Sequence, residues 1–181
     1  MVQTQRLTVE EFERLAERPE NRDKRLEYIG GDVIEVVSNN YSSEIAMLIG
    51  AMLLVFVREH DLGRVTGADG GYVVSGGRYI PDVAFISKEK QPEPSHEAYN
   101  PNPPDLAIEV LSPSDDPADT RIKVVNYLRA GTSVWVVDPD KKRVEVYMSD
   151  ELADFVGLDG VLDGGDMLPG FRLAVKDIFP E

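Results

Sequence analysis

The amino-acid sequence points to a mixed α/β (α+β) domain occupying residues 1–181 as one unit, and three stretches carry that reading. Residues 105–111 and 132–138 are short apolar runs separated by a helical segment that Asp116-Pro117 opens and Gly131 stops. Strand, helix and strand in that order make a βαβ unit with a right-handed crossover. Residues 25–37 and 64–86 are β-rich and punctuated by Gly30-Gly31, Gly70-Gly71 and Gly76-Gly77, the glycine pairs that hairpin turns and bulges require. Residues 45–57 form the longest apolar run, broken only by Gly50, and read as the middle of a helix.

In chain order, Thr8 and Glu11 form a capping box for an N-terminal helix whose apolar stripe is Phe12, Leu15 and Ala16, with Pro19 as its end. A hairpin follows over 25–37. The next helix starts at Ser42 or Ser43 and runs to about residue 59; being apolar nearly all round, it is expected to be buried on most sides, against the sheet or also under a second subunit. Residues 80–86 form a strand that begins just after a proline and contains Asp82. Residues 87–104 hold five prolines and read as a long surface loop. After the βαβ unit, residues 143–147 alternate as a hairpin partner. The segment 151–181 reads as short strands and turns, ending in a helical piece over 175–179.

Bulk composition excludes several chemistries. The chain has no cysteine and two histidines, His60 and His96, so disulfides, thiolate metal sites and a cysteine nucleophile are out and a zinc enzyme is disfavoured. The net charge is −14, which works against phosphate backbones unless divalent ions or local basic clusters offset it. The apolar run 45–57 is too short to span a bilayer, and no secretory leader opens the chain. The expectation is a soluble, cytoplasmic protein without a membrane partner.

The residues that stand out chemically are two carboxylates set in apolar strands. Glu109 lies between Ile108 and Val110-Leu111, and an ionised group is seldom buried there without a cation. Asp82 stands near the start of its strand and Glu109 near the end of the other. If the two strands are antiparallel, the carboxylates converge. With the carbonyl of Val110 they would form a hard-cation site, suited to Mg2+ or to Mn2+ in its place. Such an ion activates water and polarises a phosphoryl group, the chemistry of phosphodiester hydrolysis. A cationic side chain is also needed. Thr120, Lys123 and Tyr127 share one helical stripe, separate from that of Val124, Val125 and Leu128, so Lys123 reaches the site if its stripe faces the open end of the sheet. Glu27, between Leu26 and Tyr28, is either a further acid of the site or the polar face of a hairpin. Asp105 and Asp138 stand at strand ends, where turn and capping roles are commoner. Lys141-Lys142-Arg143 reads as a solvated hairpin tip, and His96 has no assigned chemistry.

Pro81-Asp82 followed by Glu109-Val110-Leu111 resembles the PD-(D/E)XK nuclease superfamily, and more closely its Uma-type endonuclease group. The similar stretches are 26–33, 81–86 and 104–114, then Lys123 with Tyr127, and 135–139. The resemblance implies a restriction-endonuclease-like core, a mixed β-sheet flanked by helices, together with a divalent metal and a homodimer. It makes Asp82 and Glu109 the metal ligands. Leu111 occupies the place where the wider superfamily has lysine, and Lys123 is the matching position in the Uma-type group. A histidine expected at the start of the long helix is absent, since the segment reads Tyr41-Ser42-Ser43-Glu44. The function expected is metal-dependent endonucleolytic hydrolysis of DNA by Asp82, Glu109, Lys123 and Glu27. The alternatives are a non-catalytic regulatory or binding protein on a nuclease scaffold, and a metal hydrolase of small phosphorylated substrates.

Overall fold

The computed structural model describes residues 6–148 and 153–180. Residues 1–5, and the first two and last residues of the segment 151–181, lie outside the described residues. Helix α1 (Val9–Ala16) starts where expected: Thr8 accepts from the Glu11 amide while the Glu11 carboxylate accepts from the Thr8 amide. It buries Phe12 against Tyr28 of β1 (Leu26–Ile29), which forms a hairpin with β2 (Asp32–Glu35). Gly30 and Gly31 both have positive φ, as a two-residue turn matching the strand twist requires.

Helix α2 (Asn40–Glu59) begins earlier than expected. Its cap is Asn39, whose side chain accepts from the Ser42 amide; the Ser42 hydroxyl is used elsewhere. Within one chain its burial is one-sided. Ile45, Ile49, Leu53 and Val57 are fully buried, whereas Met47, Leu54 and Val55 are exposed. The helix has one core face at the usual spacing, and its other apolar residues face outward.

Four strands follow: β3 (Gly63–Gly67), β4 (Gly71–Val74), β5 (Gly77–Tyr79) and β6 (Val83–Ser87). Asp82 therefore sits immediately before its strand rather than inside it. The proline-rich loop contains a two-residue strand, β7 (Tyr99–Asn100), which pairs with β4. Next come β8 (Leu106–Val110), α3 (Pro117–Arg129) and β9 (Ser133–Asp138). Asp116 caps α3, and Gly131 lies just beyond it at positive φ. The chain continues through β10 (Arg143–Tyr147), β11 (Asp154–Gly157), β12 (Val161–Asp163) and β13 (Arg172–Ala174), then a 3-10 turn over Val175–Ile178.

The main sheet has the order β11-β10-β9-β8-β6-β3, and only its β8–β9 pair is parallel. The sheet is mixed, as the resemblance implies. A second sheet, β2-β1-β5-β4-β7, and the small β12–β13 pair complete the strands.

Alternation along the central strands sorts residues by size. Val83 and Phe85, Leu106, Ile108 and Val110, and Trp135 and Val137 point toward α2. Ala84, Ala107, Val134 and Val136 point the other way, toward Val124 and Tyr127 of α3 and Ile29, Tyr72, Val74 and Tyr79 of the second sheet. Because side chains alternate faces along a strand, Glu109 must share the α3 side with Ala107. Each large side chain buried against α2 contributes about 1.5–3 kcal/mol, so β8 cannot slip by one residue without exposing that set and turning Glu109 into it. On α3, Val125 is exposed while Val124 and Tyr127 are buried. This corrects the expected stripe of Val124, Val125 and Leu128: Tyr127 belongs to the apolar face.

Candidate functional site

The site is built where the α3 side of the main sheet meets the second sheet. Strands β6 and β8 are antiparallel, with Val83 opposite Ile108, and one more step in that register sets Asp82 opposite Glu109. Directly opposed residues carry their side chains on the same face. The Asp82 Oδ2 accepts a 2.7 Å hydrogen bond from the Val110 amide, which ties the residue before β6 to the end of β8.

Lys123 faces the sheet. Its Nζ donates to Glu109 Oε2 at 3.0 Å and lies 2.7 Å from Glu27 Oε2. Glu27 comes from β1 and is 1% exposed, which rules out the polar face of a hairpin as its environment. Its other oxygen, Oε1, accepts from the Ile80 amide at 2.7 Å. The other Glu109 oxygen, Oε1, accepts from the Tyr127 hydroxyl at 3.0 Å. All four residues singled out from the sequence, Asp82, Glu109, Lys123 and Glu27, thus converge, with Val110 holding Asp82 through its amide.

The electrostatics follow from the burial. For Lys123, burial opposes the charge, but Glu109 and Glu27 outweigh it and hold the ammonium protonated well above its ordinary range. Burial pushes the Glu27 carboxyl up, against the pull of Lys123. Asp82 is pushed up to about 7, first by burial and then by the neighbouring Glu109 carboxylate. Tyr127 is raised well above the ordinary phenol value by burial and by Glu109, so its hydroxyl stays a donor.

A divalent cation fits this donor set. The Lys123 ammonium is already shared between Glu27 and Glu109, whereas Asp82 is a partly buried carboxylate that accepts from the Val110 amide. Among the described residues no three His, Asp or Glu side chains are close enough to hold an ion by themselves. Asp82 and Glu109, whose two oxygens already accept from Lys123 and Tyr127, could hold such an ion together with water and the expected Val110 carbonyl, a set that suits Mg2+ because that ion keeps several waters. The cleft beside Glu109 and Lys123 is also lined by Asp115, Asp119 and Thr120.

Two contributors were not assigned to the site from the sequence. Tyr127 was visible as a member of the Lys123 stripe and among the positions similar to the Uma-type group, but no role was given to it. Ser42 was one of two serines read as the start of the helix; instead its hydroxyl donates to the Leu111 carbonyl at 2.9 Å, fastening α2 to the end of β8. Asp138 does hold a turn, accepting from the Lys141 amide three residues on, whereas Asp105 does not: it accepts from the Ser87 amide at the end of β6 and pairs with Lys90, so it ties the start of β8 to the neighbouring strand.

A crystal structure described as a putative nuclease belonging to DUF820, from Anabaena variabilis ATCC 29413, superposes with a TM-score of 0.84 at 22% identity, over 96% of this chain and 97% of that one. At that identity the likeness establishes the fold. No curated protein matches the sequence. The family profile of Uma2, described as "Putative restriction endonuclease", matches residues 9–176. That match covers nearly the whole chain, including every residue of the Asp82, Glu109, Lys123 and Glu27 cluster, and the chain belongs to the Uma2 family.

Proposed function

We propose that the protein is a Mg2+-dependent endonuclease that hydrolyses phosphodiester bonds of DNA, acting as a cytoplasmic homodimer. The observation that carries this reading is one lysine held between two buried carboxylates, with a third carboxylate just before the neighbouring strand and tied to the end of β8 by the Val110 amide. Asp82, Glu109 and the Val110 carbonyl would hold the ion. When bound, the ion supplies a water activated for attack and a Lewis acid for the phosphoryl oxygen. Lys123 supplies fixed positive charge. With its ammonium held protonated by two acids, it acts as a donor to the phosphate and not as a base, and it needs no reorganisation as negative charge develops there. Glu27 anchors Lys123 from below through β1, and Tyr127 orients Glu109.

The acidic lining of the cleft, Asp115 and Asp119 besides the core carboxylates, favours a second reading: hydrolysis of small phosphorylated substrates that arrive with their own cation. The two are separated by one set of assays. Supercoiled plasmid is incubated with Mg2+ or Mn2+ and native protein, Asp82→Ala or Glu109→Ala, with nucleotides as competitors. Nicking that disappears in both variants supports the endonuclease. Nicking that survives both refutes the site, and turnover of nucleotides without nicking selects the second reading.

A further inference from the structure

Helix α2 carries a second, outward face that the fold leaves uncovered. Glu44, Met47, Ala51, Leu54 and Arg58 are all exposed, and Met47, Leu54 and Val55 are 71%, 41% and 56% exposed. Steps of three and four residues keep these positions in one line along the helix, the spacing of a two-helix seam. By length and composition α2 is also apolar enough to cross a membrane, but its opposite face, Ile45, Ile49, Leu53 and Val57, is locked into the core.

The charges on this seam identify its occupant. Glu44 lies at one end and Arg58 at the other, with Ala51 midway, and among the described residues neither takes part in an ion pair. If a second copy of α2 runs antiparallel about Ala51, each Glu44 meets the other copy's Arg58 and each Met47 meets the other's Val55. A parallel arrangement would set like charge on like. The pattern is thus self-complementary under a two-fold axis, as an isologous contact must be. A basic partner would call for a net acidic seam, and an anionic lipid surface repels a chain of charge −14.

We propose that the exposed face of α2 is the interface between two copies of this chain, antiparallel and with Ala51 on the two-fold axis. The small side chain at the axis lets the two helices approach closely. The groove beside Val55, lined also by Phe56, Arg172 and Asp177, widens the contact. This assignment rests on the homodimer reading above and is independent of the catalytic one.

Sedimentation velocity on the full chain tests it, with far-UV circular dichroism as the check on folding. Native protein is expected to be dimeric. Ala51→Glu brings two carboxylates together at the axis and is expected to raise the dimer Kd at least about tenfold. Glu44→Arg alone is expected to weaken the dimer, and Glu44→Arg with Arg58→Glu to restore it; both positions are exposed, so this pair decides the matter even if Ala51→Glu fails to fold. A native dimer indifferent to these changes overturns the α2 interface while leaving a homodimer. A native monomer overturns both, as does a monomer that co-sediments with phosphatidylglycerol vesicles.

Discussion

Asp82→Asn separates one partly buried charge from the rest of the molecule. The asparagine keeps an acceptor for the Val110 amide at nearly the same size, so the packing of β6 against β8 is preserved. What it removes is a carboxylate whose value in the folded chain, about 7, stands above the 3.8 of an unhindered aspartate. The sign follows from proton uptake. Between those values the folded state holds a proton that the unfolded state has lost, so this group lowers stability as pH rises through the window. At about 1.4 kcal/mol for each pH unit, the full effect is about 4 kcal/mol, of which about 3 kcal/mol falls between about pH 4.5 and 8. Urea unfolding in EDTA across that range, native against Asp82→Asn, isolates the contribution, because every other titrating group is common to both. The variant is expected to gain on the native protein steadily with pH. Mn2+ is expected to stabilise the native protein at pH 8 and leave the variant unchanged. Parallel pH curves for the two proteins would refute a partly buried Asp82 carboxyl held above its ordinary value.

Lys123→Met leaves Glu27 and Glu109 buried together without a cation and is expected to cost about 3–5 kcal/mol at neutral pH. The loss shrinks on acidification as Glu27, whose carboxyl is pushed up by burial, takes on a proton, which denaturant titrations at two pH values would show. Tyr127→Phe removes a hydrogen bond to Glu109 and should lower stability by about 1–2 kcal/mol by the same titration. Asn39→Ala is expected to cost about 1 kcal/mol through the lost cap of α2, and Ser43→Ala less than about 0.5 kcal/mol; equal losses would return the cap to the serine.

Much of the site was readable because its signals are local. An acid between Ile108 and Val110 conflicts with its own surroundings, and a conflict of that kind marks a place where something else must compensate. Lys123 and Tyr127 were findable as a pair because helix spacing puts them on one stripe. The apolar face of α3 was misread because Val124 and Val125 are chemically alike. Only packing against Ala84, Ala107 and Val136 decides that Val124 is buried and Val125 is not. The cap of α2 was misread for a similar reason: Asn39, Ser42 and Ser43 are all competent caps, and the choice depended on Ser42 having a carbonyl to reach across the fold.

Glu27 shows the limit of local reading most clearly. The alternation of a short hairpin strand is compatible with a solvated acid or a buried one, and nothing within residues 26–35 distinguishes them. Its role was decided 53 residues away by the Ile80 amide and by a lysine on a helix still further along. Periodicity, turn residues and caps are written in neighbouring positions, so the mixed α/β class and the βαβ unit could be read from the chain alone, whereas the pairing of Asp82 with Glu109 was conditional on an antiparallel arrangement that the β6–β8 register supplies. Which face of α3 turns inward, which oxygen takes which proton, and which side of α2 is left for a partner depend on contacts between distant segments, and those exist only once the two sheets and the helices have closed around one another.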